Sequence, residues 1–189
     1  ALTADGAVFA WGHGGDGRGG HGDRQDQLLP EKVEAFAGRR VVAVSAGAHD
    51  SFAITAEGGV WSWGWGHSGL GLGGVQNQLL PKKVEAFTGR RVVTVSAGQG
   101  HNLAITADGS VWSWGLGGVG ALGHGGAQDQ LLPRKVEAFA GQRVVAVSAG
   151  GSHSLALTAD GALWSWGAGS DGRLGHGDEQ IQSLPKKVE

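Results

Sequence analysis

The sequence repeats itself about every 52 residues, and this period constrains the fold more than any other feature. Proline occurs at positions 30, 81, 133 and 185, and a Trp-Gly pair begins at Trp11, Trp63, Trp114 and Trp166. Units that recur at this period in a constant order are typical of solenoids and propellers, whose repeats bury their apolar faces only against neighbouring repeats. The chain is therefore predicted to fold as a stack of similar units.

Each unit contains four strand-like segments, and no segment has helical periodicity. In the last unit, Val144–Ser148 is an apolar run typical of a strand covered on both faces, and His153–Thr158 alternates. An Asp-Gly pair at position 160 predicts a tight turn before the return strand Leu163–Trp166. The fourth segment, as in Lys135–Phe139, follows a proline, which suits an edge strand. These segments predict an all-β fold of four-stranded antiparallel β-propeller blades.

The period divides the chain into about four units. They are an incomplete first blade over residues 1–36 and three blades over residues 41–87, 92–139 and 144–189. The first unit lacks a valine-rich strand, so we expect the chain to be cropped from a longer one or to complete a ring with another chain. Apolar blade faces at the two ends of such an array favour association, and another copy of the chain is one candidate partner.

The composition excludes several classes of function. There is no cysteine, which removes disulfides, thiolate metal sites and thiol nucleophiles. A net charge of −2 does not favour nucleic acid as a partner, and no apolar run is long enough to span a membrane. The glycine-rich loops lack the following helix that a phosphate site requires, and no catalytic triad or carboxylate pair is visible. We therefore predict a protein that is not an enzyme and has no cofactor or metal.

Residues that recur in every unit are interpreted as structural. The tryptophans of the Trp-Gly pairs are expected to pack between blades rather than form a ligand platform, because each unit has one. Histidines on an apolar strand face are more often hydrogen-bonded structural residues than ligands. The structural set comprises Trp11, Trp63, Trp114, Trp166, His101, His153, Gly47, Gly98 and Gly150.

Residues that differ between units are the candidate binding residues. Asp50 stands where the later units have His101 and His153, and this change could alter the local surface. Trp65 extends the tryptophan pair of one unit only. The loops over residues 13–26, 65–77, 116–129 and 168–181 differ most between units, and they contain Asp16 and Asp171. Loops on a rigid frame often carry function, so this set predicts a surface for a protein partner.

A second candidate surface is basic. Arg39, Arg40, Arg90, Arg91 and Arg143 precede the valine-rich strands. Because the units stack in register, these side chains are expected to form an arc. The arc either contacts an acidic partner or a phosphate backbone, or forms a solvated rim that nearby glutamates neutralise.

The sequence of the last unit resembles the regulator of chromosome condensation repeat family. The resemblance rests on V-x-V-S-A-G, H-S-L-A-L-T-A-D-G, L-W-S-W-G and D-G-R-L-G-H-G-D within Val145–Asp178. It implies a seven-bladed propeller whose valine-rich strand lies nearest the axis, of which this chain supplies a part. The variable loops on the rigid repeat frame favour protein–protein interaction as the function. The alternatives are guanine-nucleotide exchange on a small GTPase with chromatin binding, and a secreted enzyme-inhibitor propeller.

Two branches of that family carry features that can be compared with this sequence. The exchange branch has a wedge inserted in one blade, and the unit lengths here leave no room for it. The ultraviolet-B receptor branch senses light through a Gly-Trp-Arg-His-Thr motif, and Gln99 occupies the matching tryptophan position here. Photoreception is therefore not predicted.

Overall fold

The computed structural model describes all 189 residues and contains fourteen β-strands joined by loops and single-turn 3₁₀ helices. The strands are β1 (Phe9–Gly12), β2 (Gln27–Lys32), β3 (Val41–Ala46), β4 (Asp50–Thr55), β5 (Val60–Gly64), β6 (Gln78–Lys83), β7 (Val92–Ala97), β8 (His101–Thr106), β9 (Val111–Gly115), β10 (Gln130–Lys135), β11 (Val144–Ala149), β12 (His153–Thr158), β13 (Leu163–Gly167) and β14 (Gln182–Lys187).

The strands form three four-stranded antiparallel sheets and one two-stranded sheet. The orders are β1-β2, β3-β4-β5-β6, β7-β8-β9-β10 and β11-β12-β13-β14, so each sheet follows the order of the chain. We call them blades 1 to 4. The predicted all-β architecture of four propeller units, the first incomplete, is confirmed. In each complete blade the proline-containing strand lies at the sheet edge, where its missing N–H costs no ladder hydrogen bond.

The first strands of neighbouring blades lie close together: β3 contacts β7, and β7 contacts β11. The expectation that these strands are covered on both faces is wrong. Val42, Val93 and Val145 are almost half exposed, because alternate side chains point away from the sheets that cover the other face. A continuous apolar run in these strands therefore goes with burial of only one face of the strand.

The fourth strand begins earlier than the sequence indicates. In blade 3 it covers Gln130–Lys135 and contains Pro133, whereas Glu137–Phe139 forms a 3₁₀ turn. The turn directs Phe139 inward, where its ring lies 5.6 Å from that of Trp164 and 5.8 Å from that of Trp166. The segment leaves the sheet because burial of the phenylalanine between blades is more favourable than another exposed strand residue.

The apolar core lies between the blades. One cluster joins Leu103, Ile105 and Val111 of blade 3 to Val144 and Trp166 of blade 4. Equivalent clusters lie at the two earlier junctions. Burial of a tryptophan side chain of 150–250 Å² contributes roughly 4–6 kcal/mol as an upper bound, so these contacts dominate the stability of each junction.

The tryptophans of the repeat do not all share this environment. Trp63, Trp114 and Trp166 are buried, whereas Trp11 is 53% exposed. Each buried indole packs against the preceding unit, and no unit precedes Trp11 in this sequence. The packing role assigned to Trp11 therefore stays a prediction, because the residues of this sequence do not include the unit that it would pack against.

Polar contacts also connect neighbouring blades. The backbone N–H of Ala97 donates to Ser45 Oγ, and that of Ala149 donates to Ser96 Oγ, both at 3.0 Å. The serines of the Ser-Ala-Gly segments thus accept hydrogen bonds from the next blade's first strand. None of the helical segments has the length and apolar character that a membrane-spanning helix requires.

Candidate functional site

The antiparallel order of the strands gives the array two opposite faces. The loop between the first and second strands and the loop between the third and fourth strands of each blade lie on one face, which we call the loop face. It includes residues 47–49, 98–100 and 150–152 and the four variable loops 13–26, 65–77, 116–129 and 168–181. The hairpin turns and the segments that connect successive blades lie on the opposite face, which we call the Arg face.

This geometry separates the two candidate surfaces. Asp16, Asp50, Trp65 and Asp171 all belong to the loop face. Arg39, Arg40, Arg90, Arg91 and Arg143 all belong to the Arg face. A partner that covers one face does not reach the other set.

A carboxyl or amide side chain fixes three of the variable loops. Asp26, Asn77 and Asp129 each accept a hydrogen bond at 2.8–3.0 Å from the backbone N–H of Gly14, Gly66 and Gly117, respectively. These residues were not predicted, although an Asp or Asn directly between two glutamines, at the same repeat position, was a visible signal. Loop 168–181 has Ile181 at this position and lacks the contact.

Asp16 connects two neighbouring loops. Its Oδ1 accepts from Asn77 Nδ2 at 3.0 Å, and its Oδ2 pairs with Arg18 Nη2 at 3.1 Å. Asp171 is more exposed and pairs with Arg173 of the same loop at 2.7 Å. Both aspartates have a positive φ, of 64° and 59°. Their first role is therefore to shape and hold the loops.

Asp50 is buried, so the expectation that it alters the surface is wrong. It is 3% exposed, and its Oδ2 accepts from Ser68 Oγ at 3.1 Å and from Asn102 Nδ2 of the next blade at 3.3 Å. Its Oδ1 has no hydrogen-bond partner. Burial raises the pKa of Asp50 to about 6, and the two side-chain hydrogen bonds offset only part of that effect.

The equivalent histidine in blade 3 makes a similar junction with different chemistry. His101 Nε2 lies 2.8 Å from Ser154 Oγ of blade 4. Burial, together with the charge of nearby His153, lowers the pKa of His101 to about 4, so the ring is neutral at physiological pH. His153 has no following blade and is only partly buried.

The glycines of the Ser-Ala-Gly segments lie where the blades approach most closely. A Cβ atom at Gly47 would lie 2.2 Å from Asp50 Oδ1, and one at Gly98 would lie 2.5 Å from the carbonyl oxygen of Gly150. A Cβ atom at Gly150 would lie 2.4 Å from His153 Cε1. The backbone of the next blade leaves no room for a side chain at Gly47 or Gly98, whereas the neighbour of Gly150 is the ring of the partly exposed His153, which can move aside.

Trp65 forms an aromatic cluster that occurs in blade 2 only. Its ring centroid lies 5.1 Å from that of His49 and 5.4 Å from that of His67, which stacks on it at 26°. The indole remains partly exposed and borders a cleft of about 340 Å³ whose walls come from blades 2, 3 and 4. The cluster gives the loop face one aromatic side chain held in a defined orientation.

The arginines of the Arg face divide into two kinds. The guanidinium groups of Arg39 and Arg90 stack on Trp61 and Trp112, 4.9 and 5.0 Å from the ring centroids. The second arginines, Arg40, Arg91 and Arg143, are exposed, and their aliphatic stems lie against the turn glycines Gly6, Gly58 and Gly109, respectively. The stacking was missed because the tryptophan and the arginine lie far apart in the sequence.

Two histidines of the Gly-His-Gly loops form hydrogen bonds within their own blades. His124 Nε2 and His176 Nε2 each lie 2.9 Å from a serine hydroxyl of the third strand, Ser113 and Ser165. The structure contains no group of three or more His, Cys, Asp or Glu side chains that could share a metal ion.

The blade geometry, with cores between sheets and loops gathered on one face, defines a β-propeller repeat protein. The model of the "Regulator of chromosome condensation (RCC1) repeat" matches residues 5–54, 57–105, 108–157 and 160–189. The chain belongs to this repeat family, and the resemblance inferred from the sequence is confirmed. Each matched repeat begins near a hairpin turn, so the last two strands of each of the first three matches belong to the next blade.

Similar proteins contain these repeats in very different settings. The chain is 42% identical over its whole length to the human E3 ubiquitin-protein ligase HERC2, of which it spans 4%. It is 38% identical over 96% of its length to the Arabidopsis thaliana ultraviolet-B receptor UVR8, of which it spans 42%. The chain thus spans less than half the length of these relatives.

Solved structures agree on the fold. Human WBSCR16 superposes with a TM-score of 0.90 at 28% identity, and the chain covers 50% of it. Prp20p from Saccharomyces cerevisiae, whose structure is described together with its binding properties to Gsp1p and histones, superposes with a TM-score of 0.85 at 28% identity. The whole chain is covered in both superpositions, and it spans 47% of Prp20p.

Proposed function

We propose that this chain is a non-catalytic protein-binding module that acts through its loop face. The observation that carries the proposal is the separation of constant and variable residues. The strands and the residues between blades repeat almost unchanged, whereas the side chains that differ between units, such as Trp65, Leu116 and Asp171, gather on the loop face. A rigid frame that presents variable loops is the usual design of a repeat-protein binding surface.

The likeness to Prp20p supports a protein as the partner, because the description of that structure names Gsp1p and histones as molecules that it binds. The ligase activity in the name of HERC2 belongs to a protein of which this chain matches 4%. For this chain, protein binding is therefore a better supported proposal than ligase activity.

A loop exchange tests the proposal. In one variant, residues 65–77 are replaced by residues 168–181 of the same chain, and circular dichroism checks that the blades remain folded. The matched control changes the Arg face through Arg40→Glu, Arg91→Glu and Arg143→Glu. Affinity is measured by interferometry for proteins captured by the wild-type chain, and for a purified small GTPase and purified histones.

We expect the loop exchange to weaken binding about tenfold or more, since loss of a central anchor typically costs at least 1–2 kcal/mol. The Arg-face variant should bind as the wild type does. The opposite pattern would contradict the proposal and assign binding to the arginine arc, with an acidic partner or a nucleic acid as the ligand.

Nucleotide exchange on a small GTPase is the second candidate function, favoured by the likeness to Prp20p. The unit lengths of 51 and 52 residues leave no room for an inserted wedge, which weighs against it. Release of a fluorescent guanine nucleotide from purified small GTPases, with and without the chain, discriminates the two candidates. Acceleration above the intrinsic rate would support exchange.

A further inference from the structure

The cleft beside Trp65 has a character that the rest of the loop face lacks. It has a volume of about 340 Å³, and its walls come from the loop-face ends of blades 2, 3 and 4. The side chains that define it are those of His49, Trp65, Gln99, His101 and Leu116. All three contributing blades are complete, so the cleft is independent of the open ends of the array.

The residues that form one wall occur once in the chain. The position of His49 is occupied by Gly100 in blade 3 and Ser152 in blade 4. The position of Trp65 is occupied by His13, Leu116 and Ala168 in the other units. Packing between blades explains a residue that recurs in every unit, but it does not explain an indole that only one blade has.

The geometry holds the indole in place while leaving part of it accessible. Its backbone N–H donates to the carbonyl oxygen of His49 at 2.9 Å, and the rings of His49 and His67 contact it. A rigid aromatic side chain with a polar edge loses little conformational entropy on binding, and tryptophan is enriched at the centres of protein interfaces. On the opposite wall, Leu116 is 43% exposed and supplies an apolar surface.

The charge of the cleft restricts its ligand. None of its lining residues is Asp, Glu, Lys or Arg, and the buried ring of His101 is neutral because burial lowers its pKa to about 4. A charged ligand group would lose its hydration here without gaining a partner of opposite charge.

We propose that this cleft binds one uncharged apolar side chain, aromatic or aliphatic, from an extended segment of a protein partner, with Trp65 as the anchoring contact. The volume lies at the small end of the range for ligand sites, which suits a single anchoring side chain with its backbone amide rather than a whole domain. The inference rests on the proposed function, since it specifies which part of the loop face holds the partner.

Isolated amino-acid amides are suitable probes of the cleft. N-acetyl-tryptophanamide and N-acetyl-leucinamide carry an uncharged side chain and a backbone amide, and N-acetyl-lysinamide carries the same amide with a charge. Each is titrated into ¹⁵N-labelled protein and followed by the backbone and indole N–H signals. Trp65→Ala is the test variant, and Ala168→Trp, which adds an indole at the same repeat position of blade 4, is the matched control.

We expect saturable shifts for Trp65, Gln99 and Leu116 with the two uncharged amides and none with the lysine derivative. Trp65→Ala should weaken binding about fivefold or more, since loss of an anchor typically costs 1 kcal/mol or more. Wild-type affinity should remain in Ala168→Trp, with no second site in blade 4. Absence of saturable shifts in the cleft, equal binding of the lysine derivative or wild-type affinity in Trp65→Ala would each overturn the inference.

The outcomes for the cleft and for the loop face are distinguishable. If the exchange of loop 65–77 abolishes binding of a whole partner protein while Trp65→Ala leaves that affinity unchanged, the cleft inference fails and the proposed function stands. If neither change affects the partner's affinity, both fail.

Discussion

At the scale of single residues, Asp50 illustrates how a repeat position changes its chemistry without changing its place. The two later blades have histidine there, and His101 is neutral in its junction. Asp50 accepts from Asn102, whereas His101 is hydrogen-bonded to Ser154, so the residues on both sides of the junction differ. The carboxyl group is buried with one oxygen unpaired, which makes its ionisation unfavourable.

Asp50 is expected to make the stability of the chain depend on pH. Its pKa rises from 3.8 to about 6 on folding, so the folded state binds the proton more tightly than the unfolded state. The stabilisation is complete below pH 4 and is lost as the pH rises through 6, by up to about 3 kcal/mol at 1.4 kcal/mol per pKa unit. Asp50→Asn, which cannot ionise, should therefore gain stability relative to the wild type as the pH rises from 4 to 7.

Urea unfolding at a series of pH values measures this difference, and the subtraction of the two profiles removes the contribution of His101. Asp171→Asn is the control, because that carboxyl group is exposed. Parallel profiles for the wild type and Asp50→Asn would contradict the burial of an ionisable carboxyl group.

Sequence patterns identified the residues that repeat far better than the residues that touch across blades. The period, the hairpin turns and the edge prolines are local signals, and they predicted the sheets. The contact of Asp50 with Asn102 joins two blades, and that of Arg39 with Trp61 joins the connection between blades 1 and 2 to the third strand of blade 2. They depend on the angle between sheets, which no local pattern encodes.

At the scale of elements, the first strand of each blade has two roles. One face packs in the core between blades, while its serine hydroxyl accepts an N–H from the first strand of the next blade. The apolar pattern correctly predicted a strand but wrongly predicted that both of its faces are buried. A run of valines looks the same in the sequence whether one face or both faces are buried. The segment that ends at Phe139 was predicted as a strand, but Glu137–Phe139 forms a 3₁₀ turn, as do the equivalent segments that end at Phe36 and Phe87.

The serine contact makes a prediction with a control inside the chain. Ser96→Ala leaves the backbone N–H of Ala149 without its acceptor and should lower the free energy of unfolding by about 1–3 kcal/mol. Ser148→Ala removes the equivalent hydroxyl of blade 4, which accepts no N–H from another blade in this sequence. This substitution should change the free energy of unfolding by less than about 0.5 kcal/mol. Chemical denaturation followed by tryptophan fluorescence compares the two, and equal effects would contradict the inter-blade role.

At the scale of the whole molecule, the two ends of the array differ from its interior. Leu157 and Leu163 of blade 4 are 38% and 42% exposed, whereas the equivalent Ile105 and Val111 of blade 3 are buried by the next blade. An apolar sheet face of this kind favours association. The sequence predicted open ends, since the units stack in one direction and the first unit is short.

We expect the purified chain to self-associate as its concentration rises. Leu157→Glu should shift sedimentation profiles towards the monomer, because it introduces a charge on the open blade face. Leu80→Glu, a leucine that is also exposed but lies on the outer strand of blade 2, is the control and should leave association unchanged. Equal association of the wild type and Leu157→Glu would contradict a role for this face.

The most direct test of the account compares one repeat position in two environments. Trp166 is fully buried against blade 3, and Trp11 is half exposed at the open end of the array. If the stability of the chain resides between blades, Trp166→Ala should lower the free energy of unfolding by about 3–5 kcal/mol, and Trp11→Ala by less than about 1 kcal/mol. Circular dichroism during urea unfolding measures both, and an equal cost at the two positions would contradict the account.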